Sequence, residues 1–183
     1  MKPCSLAITQ RPSPHCDDRP PGETISLLVI HNISLPAGEF AAKAAHSFVD
    51  ALFMGSLDCT AHPSFSGLQG VRVSAHCVIW RDGSVFQYVP FAKRAWHAGV
   101  SQFAGRERCN DFSIGIELEG TDNLPYTEQQ YQSLIELTKM ICQQYPAITP
   151  QRITGHSDIA PGRKTDPGAA FDWARYRSAI ATL

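Results

Sequence analysis

Residues 155–168 of this 183-residue chain read GHSDIAPGRKTDPG and crowd His156, Asp158, Lys164 and Asp166 into one stretch braced by two prolines and three glycines. Loops this constrained present side chains for use, because the scaffold fixes the backbone and leaves the functional groups free. His31 is the second candidate: it ends an almost wholly apolar run, so its ring must find hydrogen bonds or a ligand there. Two imidazoles and one carboxylate suit zinc and leave its fourth position open to water, as in catalytic rather than structural sites. The set that follows is His31, His156 and Asp166. The histidines stand 125 positions apart, far from the i, i+4 spacing of an HExxH helix, so spacing alone does not select them. Non-haem iron oxygenases use the same donor types, usually on an all-β barrel.

Periodicity predicts the elements that must position these groups. Residues 24–32 form a near-continuous apolar strand of the kind buried on both faces, delivering His31 at its carboxyl end. Residues 38–54 are alanine-rich, with Phe40, Ala44, Phe48 and Leu52 four apart, which predicts a helix stopped by Gly55. Strands at 71–80 and 84–89 are joined through Asp82 and Gly83 as a hairpin. After an irregular stretch, 90–111, a strand at 113–119 alternates Ile114, Ile116 and Leu118 with Gly115, Glu117 and Glu119, so the two glutamates share one face. Thr127 with Gln130 resembles a capping box opening a helix that ends near Tyr145. A short strand at 152–155, a loop at 156–168 and a closing helix at 169–180 follow, while the Pro-rich residues 3–22 predict an arm laid over the surface. Strands alternating with helices, plus a hairpin, predict an α/β fold: a single domain with a mixed β-sheet flanked by α-helices.

Composition bounds the partners. The length fits one domain, residues 1–183, with 1–22 as an extended N-terminal arm. Sixteen basic against seventeen acidic side chains leave a net charge of -1, with no surplus of Lys and Arg to neutralise phosphates, which argues against nucleic acid. The longest apolar stretch, around residues 25–30, falls far short of the roughly 20 residues of a membrane-spanning helix. The first ten residues are too broken for the core of a secretory signal. Six cysteines form no CxxC pair, and a chain of this length can build its core without disulfides, so reduced thiols and a cytoplasmic location are expected. No obligate protein partner is evident.

Four stretches occur together and in order: VIHNISLP at 29–36, SAHCVIWRDG at 74–83, NDFSIGIELEGTD at 110–122 and GHSDIAPGRKTDPG at 155–168. Through them the chain resembles the zinc-dependent N-acetylmuramoyl-L-alanine amidases, whose wider family includes phage lysozyme-like amidases and peptidoglycan recognition proteins. The likeness runs from Arg11 to Tyr176 and implies the phage-lysozyme/peptidoglycan-recognition-like amidase fold. It also implies a Zn2+ ion held by the histidine ending the first strand, the histidine of the GH loop and the later aspartate, here His31, His156 and Asp166.

The resemblance further implies a catalytic acid/base at the first glutamate of GIELEG, Glu117, and a cationic stabiliser at Lys164. Other branches carry a tyrosine in place of that glutamate, which leaves open how Glu117 and Lys164 divide proton transfer. The implied substrate is a 1,6-anhydro-N-acetylmuramyl peptide, cut between the lactyl group and L-alanine in cell-wall recycling, with indirect control of β-lactamase induction. Trp96 would then offer the sugar an aromatic plane, Arg72 and Arg108 would meet peptide carboxylates, and Asn32 would bind the peptide backbone. The competing reading within the fold is a recognition module that binds muropeptide without cutting it. Such members typically lose a metal ligand, and all three are present here. His46, His62, His76 and His97 receive no role.

Overall fold

Leu27, Leu28, Val29 and Ile30 expose nothing to solvent, as a strand covered on both faces requires. In the computed structural model, which describes residues 6–40 and 47–181, they open β3 (Leu27–Ile33), with β9 (Ser113–Glu119) parallel beside it. β1 (Ile8–Gln10), β4 (Cys77–Ile79), β5 (Val85–Gln87) and β10 (Ile153–Gly155) complete a six-stranded sheet in the order β1-β5-β4-β9-β3-β10. Only the β4–β5 hairpin is antiparallel, so the sheet is mixed. Two small ribbons pair β2 (Cys16–Asp17) with β6 (Arg94–Ala95), and β7 (Gln102–Phe103) with β8 (Arg106–Glu107).

Alternation along the strands gives the sheet two different faces. Leu28, Ile30, Ile114, Ile116 and Leu118 pack under α2 (Glu128–Gln144) and α4 (Trp173–Ile180). Leu27 and Val29 point the other way, onto Ala98, Cys109, Phe112 and Ile159. This second face is covered by α1 (Phe48–Phe53), α3 (His156–Ile159) and the long segment 90–111. α2 opens as expected: Thr127 Oγ1 accepts from the Gln130 N–H, and Gln130 Oε1 accepts from the Thr127 N–H, each at 3.1 Å.

Several expectations change in physical detail. Of the helix expected over 38–54 the described residues show α1, whose first turn Ser47 caps, its Oγ accepting the Asp50 N–H at 2.9 Å. Gly38, Glu39 and Phe40 lie outside it, and residues 41–46 fall outside the described residues. The strand expected at 71–80 contracts to β4, since the Tyr88 and Val89 N–H groups both reach the His76 carbonyl and this bulge ends regular pairing. The hairpin closes through three residues rather than two, with Gly83 at φ 84°. The loop expected from 156 begins instead as α3, where Asp158 Oδ2 accepts the Gly155 N–H at 3.0 Å. The closing helix starts late, at Trp173, with Asp172 accepting the Arg175 N–H at 2.9 Å. Residues expected to form a surface arm are built in: β1 is an edge strand of the main sheet, and Arg19 donates to the carbonyls of Phe91, Asn110, Asp111 and Ser113 at 2.8–3.0 Å.

Candidate active site and metal centre

Parallel pairing aligns β3 and β9 with His31 opposite Glu117, so both side chains leave the same face of the sheet. On the other side of β3, β10 places Gly155 opposite Ile30, and the next residue, His156, emerges level with His31. The carboxyl ends of three parallel strands therefore deliver an imidazole, a carboxyl and a second imidazole to one hollow, the usual place for a ligand in sheets of this kind.

Asp166 arrives from the loop beyond α3. The Ser157 N–H donates to its carbonyl at 2.9 Å, and Tyr126 OH donates to the next carbonyl, that of Pro167, at 2.7 Å. Gly168 lets this loop press on residues 120–122: at its φ of 81°, a Cβ would fall 2.1 Å from Asp122 Cα. As a result His31 Nδ1, His156 Nδ1 and Asp166 Oδ2 lie 3.0 Å from one another, with the two rings buried and Asp166 13% exposed.

This triad fits a divalent ion on its own chemistry. His156 Nε2 stands 3.1 Å from the Ala98 carbonyl, which can only accept, so the ring proton belongs on Nε2 and Nδ1 presents a lone pair. That lone pair faces a carboxylate oxygen at 3.0 Å, an approach of two acceptors that a cation relieves. Burial pushes His31 down to about 4, so its ring is neutral at neutral pH and available as a ligand. Neutral imidazoles with one carboxylate are donors that zinc accepts.

Glu117 behaves differently. Burial pushes its carboxyl well above the ordinary value of 4.5, the Asp166 charge pushes the same way and Lys164 opposes them. Its Oε2 is buried without a hydrogen-bond partner among the described residues. With Asn32, Trp96, His156, Lys164 and Asp166 it lines a cavity of about 200 Å³. Asn32, Lys164 and Asp166 also wall a broader groove of about 540 Å³ that continues over Thr121, Asp122 and Asn123. Glu119, on the same strand face, is engaged elsewhere and accepts the Arg81 N–H at 3.1 Å.

Of the four residues expected to touch substrate, two reach this cavity. Asn32 donates to Asp122 Oδ1 at 2.8 Å, and Trp96 Nε1 donates to Asp17 Oδ1 at 3.1 Å. Arg108 pairs with Asp111 at 3.1 Å and lines a neighbouring hollow that has Trp96 as a shared wall. Arg72 is exposed and lines a separate cavity with His15, Leu52 and Gly55. Asp158, conspicuous in the sequence, serves as the cap of α3. His97, given no role from sequence, touches the site directly: its Nδ1 is 2.9 Å from His31 Nε2. The available signal was Gly115, an isolated glycine in a strand pattern, where a Cβ would fall 2.5 Å from the His97 ring.

An open mixed sheet is not the all-β barrel of the oxygenase reading. A buried acid beside a His–His–carboxylate cluster at strand ends is instead the layout of a hydrolase. Residues 21–169 match the family model described as N-acetylmuramoyl-L-alanine amidase, and the chain belongs to that family and is an amidase. It is 62% identical over 176 residues to the 1,6-anhydro-N-acetylmuramyl-L-alanine amidase AmpD of Citrobacter freundii, covering 96% of this chain and 91% of that one. A solved crystal structure of a Se-Met AmpD derivative matches with a TM-score of 0.89 at 59% identity, over 97% of this chain and 95% of that one. The structure of AmpDh3 from Pseudomonas aeruginosa in complex with anhydromuramic pentapeptide matches with a TM-score of 0.63 at 34% identity, over 87% of this chain and 61% of that one.

Proposed function

We propose that this amidase uses zinc to hydrolyse the amide between the lactyl group of 1,6-anhydro-N-acetylmuramic acid and L-alanine in muropeptides, a step of cell-wall recycling. The observation that carries the reading is the meeting of His31, His156 and Asp166 beside the buried carboxyl of Glu117, whose Oε2 has no partner among the described residues. The substrate class rests on the 62% identity to an enzyme named for that reaction.

His31, His156 and Asp166 would hold the ion. Zinc bound there supplies Lewis acidity, which lowers the pKa of water from 15.7 to about 7 and polarises a carbonyl. Glu117 takes the proton of the attacking water on its free Oε2 and hands it to the departing L-alanine nitrogen, a role worth roughly 10² to 10⁴ in rate. Its raised pKa suits this task, because a carboxyl at its ordinary value would hold a proton too weakly to return it near neutral pH. Lys164, at the junction of cavity and groove, sets its ammonium against the developing oxyanion. Trp96 offers the sugar a plane and Asn32 meets the peptide backbone, while Arg108 across Trp96, and Arg72 further out, meet peptide carboxylates.

The free thiols of Cys16, Cys59, Cys77, Cys109 and Cys142 support a cytoplasmic setting, and no helix among the described residues is long and apolar enough to cross a membrane. In the cell, loss of the enzyme would let anhydro-muropeptides accumulate and induce β-lactamase. The deciding experiment presents purified protein with anhydro- and reducing-end muropeptides, before and after chelation and with zinc restored. Release of L-alanyl peptide from the anhydro substrate, lost on chelation and recovered with zinc, is expected. Turnover that ignores the chelator overturns the metal assignment.

A further inference from the structure

We propose that His97 and Asn110 are positioning residues that decide which nitrogen each histidine ligand turns toward the ion. This rests on the zinc reading above and concerns groups outside the triad. Asn110 Oδ1 accepts two consecutive backbone N–H groups, from His97 at 3.1 Å and from Ala98 at 2.8 Å. One side-chain oxygen thus pins a two-residue segment, and that segment contacts both ligands. The Ala98 carbonyl stands 3.1 Å from His156 Nε2, and His97 Nδ1 stands 2.9 Å from His31 Nε2.

The carbonyl can only accept, so it keeps the His156 proton on Nε2. His97 does the same for His31 if its own proton lies on Nε2, where Ser113 Oγ stands 3.1 Å away and can accept it. Its Nδ1 lone pair then accepts the His31 Nε2 proton, and His31 Nδ1 is left bare toward Asp166. Gly115 provides the space, because a Cβ there would fall 2.5 Å from His97 Cγ and Nδ1. Arg19 steadies the other end by donating to the Asn110 carbonyl at 3.0 Å. Partners of this kind commonly change metal affinity 10- to 100-fold.

Zinc affinity, read by competition with a chromophoric chelator, separates orientation from packing. His97→Phe keeps the ring against Gly115 but removes the acceptor, whereas His97→Asn keeps an acceptor near Nδ1 and loses ring volume. Asn110→Asp keeps the shared acceptor, and Asn110→Leu removes it. The expected result is a loss of about 10- to 100-fold for His97→Phe and Asn110→Leu, with His97→Asn and Asn110→Asp recovering most of the affinity. A packing role would reverse the His97 ranking. Thermal melts of the metal-free variants identify any that fail to fold, and ¹⁵N spectra of the zinc-loaded wild type give a readout independent of variants. Those spectra should place a proton on Nε2 of both His31 and His156. Wild-type affinity in folded His97→Phe, or a proton on His31 Nδ1, overturns the proposal. A wild-type protein that binds no zinc overturns the metal reading on which it rests.

Discussion

Glu117 is an acid whose burial opposes its own ionisation. Its folded pKa lies above the ordinary 4.5, so the unfolded chain ionises first and this residue costs stability as pH rises from about 4.5 through the raised value. Glu117→Gln, which carries no charge to bury, should therefore stabilise the metal-free protein at pH 8 in urea unfolding while reducing turnover by at least about 10². Glu119→Gln should leave turnover nearly intact, because that carboxylate serves the Arg81 N–H. Lys164→Met should lower kcat by roughly 10² to 10³ with zinc affinity unchanged, and a loss of bound zinc would sink the oxyanion role. The triad was legible as a set of residue types, since an imidazole ending an apolar strand and a loop dense in His and Asp call for a ligand. Alternation alone leaves Glu117 and Glu119 equivalent; the motif resemblance singles out Glu117, and in the structure their partners differ, Glu119 accepting the Arg81 N–H while Glu117 Oε2 has no partner among the described residues. His97 left only the indirect trace of Gly115, and Asn110 none, because the groups they meet are brought together by the fold and not by sequence.

At the scale of elements, the decisive fact is a register: His31 opposite Glu117, with His156 one step past a paired residue. A continuous apolar run revealed β3 and period-two patterning revealed β9, but pairing partners depend on chain topology, which a local pattern does not carry. The same limit explains the largest difference. The proline-rich opening joins the sheet because β5 offers it an unpaired edge. Gly115→Ala tests how closely β9 and the segment beyond it are matched: its methyl would press on the His97 ring, so zinc affinity by titration calorimetry should fall. Arg19→Met removes donors from four backbone carbonyls, and at about 1.5–3 kcal/mol for each hydrogen bond to a charged group it should lower unfolding free energy by at least about 3 kcal/mol.

The whole molecule gathers His31, His76 and His97 under one face of the sheet, and burial lowers all three, His31 to about 4 and His76 to about 3. A depressed folded pKa means stability that is complete above the unfolded value of 6.5 and is lost as pH falls through the folded values. Each such histidine adds a slope of up to about 1.4 kcal/mol per pH unit in that window. The metal-free protein should thus weaken steadily from about pH 6.5 downward in urea titrations, and a flat profile would contradict the buried neutral rings. Zinc at 100 times its Kd should add about 2.7 kcal/mol, seen as a higher Tm that chelation reverses. The adjacency of β3 and β10 also has a consequence for biosynthesis. A ribosome makes His31 early and His156 and Asp166 more than a hundred residues later, so a nascent chain arrested before residue 153 should grip zinc no better than a lone histidine does.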